Sequence, residues 1–285
     1  MIAASVSAWP HPNPVRSIGR AATAALHDEL ALEPKPGLVS FANSGSHTDM
    51  DAGTFMRSIF ALRHYFPQIA AAGAAGAGFP VLEALGIAAE RRMLRGTGGI
   101  NTHRGAIFLL GLLCAGLGRA AASGGVVTAE RVRDTLADDW GGALRARLSR
   151  PGDSNGQRAA RRHGLRSAGD EAAAGFPVLF DTALPALRAN GLTGPARQLQ
   201  ALFHTMAVLD DTTVAHRGGL DGLRYVQRAA RGFLDAGGAG RPDGVAHARA
   251  IHEAFVARRL SPGGAADVLA AACLLDRTCG TGEGP

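Results

Sequence analysis

Lysine is nearly missing from this chain. One residue, Lys35, stands against twenty-nine arginines in 285 residues. It lies in Glu33-Pro34-Lys35-Pro36-Gly37. A chain whose only lysine follows proline has no Walker A loop, which needs Gly-Lys-Ser/Thr, and no kinase-type strand lysine. Aromatic residues are scarce too, at 5%. That removes the stacking platforms of nucleic-acid binders, so no nucleic acid is expected as a partner. Residues that favour strands are sparse, whereas alanine, the best helix former, is abundant. Three cysteines, Cys114, Cys273 and Cys279, form no CxxC and no metal spacing. Such an odd, scattered set is expected of a reducing cytoplasm. No basic segment precedes the first apolar stretch, so no signal peptide is expected. The most apolar run, residues 105–118, is too short to span a bilayer and reads as a buried helix; no membrane is expected. No G-x-G-x-x-G occurs, which disfavours a dinucleotide fold.

What is present is positive charge and helical pattern. The net charge is +6 and the pI about 10.2, which calls for anionic partners, and a nucleoside triphosphate fits as well as any polymer. Residues 1–14, with three prolines, read as a loose arm. Residues 15–280 read as one all-α domain of about ten helices. The expected helices begin with residues 15–32, stopped by Pro34 and Pro36. Phe55, Ile59, Leu62 and Phe66 form one helical stripe. Further helices are expected over 79–94, 106–122, from Thr128 toward Leu148, and over 157–174, 177–189, 194–209, 220–234 and 245–260. Ser261 as N-cap and Pro262 at the first helical position announce the last one.

Five polar constellations carry possible chemistry. The loop Gly96-Thr97-Gly98-Gly99-Ile100-Asn101-Thr102-His103-Arg104-Gly105 feeds an apolar helix. It serves either as an anion cradle at a helix N-terminus or as a tight interhelical turn. Asp210 and Asp211 precede Thr212-Thr213 and Arg217. Two carboxylates at the negative end of a helix invite a cation such as Mg²⁺, or else Asp211 caps the next helix. His47, Asp49 and Asp51 form a second acidic group, with helix capping as the plain reading. Residues 145–166 hold seven arginines and one acid, Asp153: a polyanion clamp or a solvated face. Ser261 stands where a phosphate or a simple cap would be received.

Taken together, these segments resemble one family. Pro34-Lys35-Pro36-Gly37-Leu38-Val39, Ser46-His47-Thr48-Asp49-Met50-Asp51, Thr97-Gly98-Gly99-Ile100-Asn101-Thr102-His103-Arg104-Gly105-Ala106-Ile107-Phe108, Gly175-Phe176-Pro177, Asp211-Thr212-Thr213 with Arg217-Gly218-Gly219, and Ser261-Pro262-Gly263-Gly264-Ala265-Ala266-Asp267 are similar to motifs of the triphosphoribosyl-dephospho-CoA synthases, in the same order. The family often has Lys at the place of Arg104 and Asn at that of Thr213. Arg still donates to phosphate, so the first departure changes little; the second leaves a metal or ribose contact open.

The resemblance implies an all-α enzyme, a pentosyltransferase. It would move the 5-triphosphoribosyl group of ATP to the 2′-hydroxyl of 3′-dephospho-CoA and release adenine. The product would be the prosthetic-group precursor of an acyl carrier protein, that of malonate decarboxylase rather than citrate lyase, since the arginine bias suits a G+C-rich aerobe. The carrier protein or the prosthetic-group transferase would be a partner, and a homodimer is the commonest assembly to expect. An oxocarbenium-like transition state needs a base for the hydroxyl, a proton donor for adenine, cations on a triphosphate that does not react, and exclusion of water. On this reading Lys35, Gly98, Gly99, Asn101, Thr102, His103, Arg104, Arg217 and Ser261 take ATP and its phosphates. Asp51, Asp210 and Asp211 hold Mg²⁺, and His47 or Asp49 is the base. The rival reading is an all-α, Mg²⁺-dependent nucleotide phosphohydrolase using the same acids. A non-enzymatic reading is a nucleotide-binding or carrier-docking module.

Overall fold

The computed structural model describes residues 13–150, 152, 154–189 and 191–280. Most of the expected N-terminal arm lies outside them. The described residues are all-α, with no strand. In chain order the helices are α1 (Pro14–Ala31), α2 (Ala52–Leu62), α3 (Tyr65–Ala74), α4 (Phe79–Gly96), α5 (Arg104–Ala122), α6 (Ala129–Arg147), α7 (Asn155–His163), α8 (Ala168–Ala173), a π-helical turn (Leu179–Ala183), α9 (Leu184–Arg188), α10 (Gly194–Val208), α11 (Thr212–Asp235), a 3₁₀ turn (Gly238–Gly240), α12 (Gly244–Ala257) and α13 (Gly263–Thr278).

The core is built on α5, whose apolar residues Leu109, Leu110, Leu112, Leu113, Ala115 and Leu117 are buried along with most of the helix. It is long and apolar enough to cross a membrane, but 72% of that stretch is covered by the rest of the protein, as a core helix would be. Around it pack α1, α3, α4, α6 and α13. Small residues set these distances. A Cβ on Gly73 of α3 would come within 2.1 Å of the Ala115 carbonyl oxygen, and one on Gly118 within 2.1 Å of that of Ala70. The two backbones therefore touch, and the abundance of Ala and Gly is explained by packing as much as by helix propensity.

Local chemistry corrects the expected boundaries in four places. The stripe Phe55–Phe66 spans two helices, because Pro67 in the first turn of α3 has no N–H with which to continue α2. The segment 157–174 also divides in two, since Gly164 adopts a left-handed φ of 65° as C-cap of α7. The helix expected from Leu220 starts at Thr212 and bends at Gly219, where φ is 63°. Ser261 does not cap α13; Pro262 holds the N-cap position and the serine hydroxyl is used elsewhere.

Candidate active site

The segment 32–51, between α1 and α2, brings the lone lysine inside. Lys35 is 1% exposed. Its Nζ donates to the Glu29 carbonyl at 2.7 Å and pairs with Glu29 Oε1 at 2.5 Å. The Pro-Lys-Pro turn thus folds the ammonium back onto the last turn of α1. Burial lowers the Lys35 pKa, while the Glu29 carboxylate works against that shift. Gly37 follows at φ 68°, where a Cβ would meet the Leu260 carbonyl oxygen at 2.2 Å. Ser46 Oγ donates to the same carbonyl at 2.6 Å. The lysine turn is therefore clamped to the chain that leads into α13.

Across this floor lies the loop before α5. A pocket of about 140 Å³ is lined by Glu29, Lys35, His47, Asn101, Thr102, His103, Arg104, Thr213, Ser261 and Asp267, with apolar walls from Leu26, Leu38, Met50 and Phe55. Of the predicted residues, the structure brings Lys35, His47, Asn101, Thr102, His103, Arg104 and Ser261 together. A larger groove of about 520 Å³, near Val15, His64 and Pro67, holds none of the motif residues. Size alone does not mark the site.

His103 is 3% exposed. Its Nδ1 lies 2.6 Å from Ser58 Oγ, and Phe55 stands edge-on against the ring. The Ser58 hydroxyl is buried with no other hydrogen-bond partner, so it donates to Nδ1, which accepts as the unprotonated nitrogen. That leaves Nε2 as the protonated nitrogen, without a partner. Burial first, then the nearby Lys35 charge, pushes the His103 pKa down to about 3. The ring is therefore a neutral donor at pH 7. On the opposite wall His47 Nε2 lies 2.9 Å from Ser261 Oγ. Its Nδ1 is 3.6 Å from Asp49 Oδ1, and Asp49 itself is exposed on the rim. Burial and Arg217 lower the His47 pKa, so this imidazole is a free base near neutrality. Thr102 Oγ1 and Arg104 Nε are buried without partners as well. His47 Nδ1 has no hydrogen-bond partner either. Buried polar atoms are ordinarily satisfied, so four of the six such atoms among the described residues falling on residues of one pocket mark a place for a polar ligand.

Other predicted residues stand apart. Gly98 and Gly99 have φ of 68° and 91° on an exposed loop with open space around them. They permit the turn without lining the pocket. Arg104 reaches the pocket while paired with Glu90. Arg217 donates to the Arg259 and Ser46 carbonyls and so ties α11 to both flanking loops. The three expected metal ligands do not converge. Asp51 caps α2, with Oδ1 accepting from Thr54 N–H and its hydroxyl. Asp210 accepts from Arg166 N–H. Asp211 caps α11 through Thr213 and Val214 N–H and, with its other oxygen, accepts from Ala265 N–H in α13. Among the described residues no group of three or more His, Cys, Asp or Glu could hold a metal ion. One oxygen each of Asp51 and Asp210 and both of Asp211 are engaged by these donors, so the three carboxylates do not form one ligand set for a resident Mg²⁺.

Two pocket residues, Glu29 and Asp267, were given no role by the sequence reading, nor was Ser58, which bonds the His103 ring. The Glu29 signal was available, since a lysine in an apolar turn needs a carboxylate from the helix it folds back on. Asp267 lies in the first turns of α13 and accepts from Ala106 N–H at the start of α5. Its Oδ2 occupies the space that a Cβ on Gly105 would fill, 2.0 Å away. Burial, then the charges of Glu29 and Asp211, raise its pKa well above the ordinary carboxylate value.

An all-α protein with a small polar pocket between helix N-termini, carrying a neutral donor histidine, a free-base histidine and a buried carboxyl, has the equipment of a group-transfer enzyme. Residues 15–283 match the family CitG, ATP:dephospho-CoA triphosphoribosyl transferase. The chain belongs to this family and is a transferase. It is 42% identical over 262 residues to 2-(5''-triphosphoribosyl)-3'-dephosphocoenzyme-A synthase of Pectobacterium atrosepticum, covering 88% of this chain and 85% of the relative. Probable synthases of the same name from Vibrio cholerae and Stutzerimonas stutzeri are 38% and 39% identical, over 91% and 96% of this chain and 87% and 96% of theirs. No solved structure matches.

Proposed function

We propose that the chain transfers the 5-triphosphoribosyl group of ATP to the 2′-hydroxyl of 3′-dephospho-CoA and releases adenine. One observation carries this reading: His47, Thr102, His103 and Arg104, each with an unpartnered buried polar atom, line one cavity assembled from the family-like motifs. About 140 Å³ is small for a drug-sized ligand, let alone two nucleotides. The pocket suits the ribose at which the bond changes, with the rest of both substrates at its mouth.

In this reading the 2′-hydroxyl attacks the anomeric carbon while the C–N bond to adenine breaks. His47, free base near neutrality, takes the hydroxyl proton, with Ser261 fixing its Nε2 side. His103 Nε2–H hydrogen-bonds a ribose or phosphate oxygen without carrying charge, as a neutral imidazole donor can. Arg104 and the amides of the 97–105 loop hold the triphosphate at the N-terminus of α5. Lys35 sits beneath them with Glu29 and sets the potential of the floor rather than gripping phosphate. Mg²⁺ would enter on the triphosphate, its usual setting, since it keeps few protein ligands there. Apolar walls from Leu38, Met50 and Phe55 limit the water that would otherwise hydrolyse ATP at the same carbon.

The test is incubation with ATP and 3′-dephospho-CoA. Adenine release that requires both substrates, with a new adduct by mass, supports the transfer; phosphate release without adenine would point to a phosphohydrolase instead. The product is assigned to malonate decarboxylase carrier protein rather than citrate lyase on the arginine bias of the chain. Attachment of the product to one purified carrier subunit and not the other decides that step. The exposed arginines of 145–166, such as Arg150, offer a surface for an acidic carrier.

A further inference from the structure

The transfer leaves one proton unassigned. The 2′-hydroxyl loses its proton as the O2′–C1″ bond forms. The C1″–N9 electron pair goes to adenine, a poor leaving group as the anion. Some group must supply a proton to a ring nitrogen of the departing base. Among the pocket residues, His103 is neutral and donates from Nε2, but becoming the anion on giving that proton up is prohibitive. Lys35 and Glu29 are committed to each other. Arg104 does not deprotonate.

We propose that Asp267 is the general acid that protonates adenine as it leaves, an assignment that rests on the transfer reading above. Its carboxyl lines the pocket and is partly exposed to it. One backbone donor, Ala106 N–H, fixes it, and no cation pairs with it among the described residues. Gly105 makes room for it, since any side chain there would displace the carboxyl. The charged groups that act on it are Glu29 from α1 and Asp211 at the start of α11, while Lys35, His47, His103 and Arg104 line the same pocket. Burial first, then the charges of Glu29 and Asp211, raise the Asp267 pKa, while burial and Arg217 lower that of His47, so the two groups are shifted in the directions that an acid and a base require. Environments that drive two titrating groups apart in this way are how one site obtains both an acid and a base. The balance closes: His47 gains the hydroxyl proton, Asp267 loses one to adenine, and both reset through solvent.

The test compares the wild type with Asp267→Asn. The asparagine carbonyl can still accept from Ala106 N–H, so the contact with α5 is kept while the acidic proton is replaced by a non-acidic amide. With ATP, kcat should fall about 10²–10⁴-fold, the usual worth of a positioned acid, with KM for ATP little changed. The wild-type rate should decline as pH rises through the Asp267 pKa, and this limb should vanish in Asp267→Asn while the low-pH limb of His47 persists. Lys35 also titrates below its ordinary value, so loss of the limb in the variant, not its presence in the wild type, is diagnostic. A second comparison uses nicotinamide riboside 5′-triphosphate as donor, whose base departs neutral without taking a proton. Asp267→Asn should use that donor within about threefold of wild type. A kcat within threefold of wild type with ATP, a persisting high-pH limb, or equal loss with both donors would overturn the assignment. Absence of adenine release by the wild type would instead reject the transfer reading itself.

Discussion

Lys35 and Glu29 behave as one unit: a buried ammonium bonded to the carboxylate and carbonyl of the same residue. Removing one member strands the other charge, which typically costs about 3–5 kcal/mol, whereas replacing both by apolar groups is often close to neutral. Lys35→Met should therefore destabilise the protein by that amount in urea denaturation, and Glu29→Leu with Lys35→Met should recover most of the loss. A non-recovering double variant would mean that the pair is not self-contained. His103 gives a second expectation at this scale. Its folded pKa is lowered to about 3 from an unfolded value near 6.5, so between these the unfolded chain holds a proton that the folded one lacks. Stability from this residue is complete above pH 6.5 and declines as pH falls. The loss is about 2 kcal/mol by pH 5. His103→Asn should flatten that part of the pH–stability curve measured by thermal melting.

Helix termini decide where the site groups stand. Asp211 joins two helices, capping α11 directly and receiving a donor from α13. Asp267 does the same from α13 toward α5. This chain of carboxyls positions the pocket, and it explains why acids expected to bind metal turn up on backbone N–H groups. Replacing Asp211 by Ala should cost roughly 2 kcal/mol or more, as the loss of a strong cap plus a second buried acceptor. The dependence of adenine release on Mg²⁺ should be unchanged in the folded fraction; a shifted Mg²⁺ requirement would return Asp211 to the list of ligands. Much at this scale was legible in the chain. Pro34 and Pro36 end α1, Thr128 caps α6, and the apolar run after Arg104 is the core helix. What was not legible depended on partners distant in sequence. Ser261 has the residue type and place of a cap, yet His47, 214 positions away, takes its hydroxyl. No spacing rule announces such a contact. Pro67 and Gly164 were readable breakers that the apolar periodicity masked.

The described residues form one helical core around α5, with a polar pocket where the lysine turn, the loop before α5 and the starts of α11 and α13 meet. The motifs were visible as strings, and their convergence needed the fold. Glu29 and Asp267 were hidden because each looks like an ordinary helical acid until Lys35 and Gly105 are set against it. The central claim is that chemistry occurs at the ribose anomeric carbon while the phosphates ride along. The most direct measurement uses ATP labelled at the γ-phosphate, with 3′-dephospho-CoA as acceptor. The label should pass quantitatively into the adduct, with one adenine released for each adduct formed. Label recovered as free phosphate or pyrophosphate, or adenine released without adduct, would contradict it.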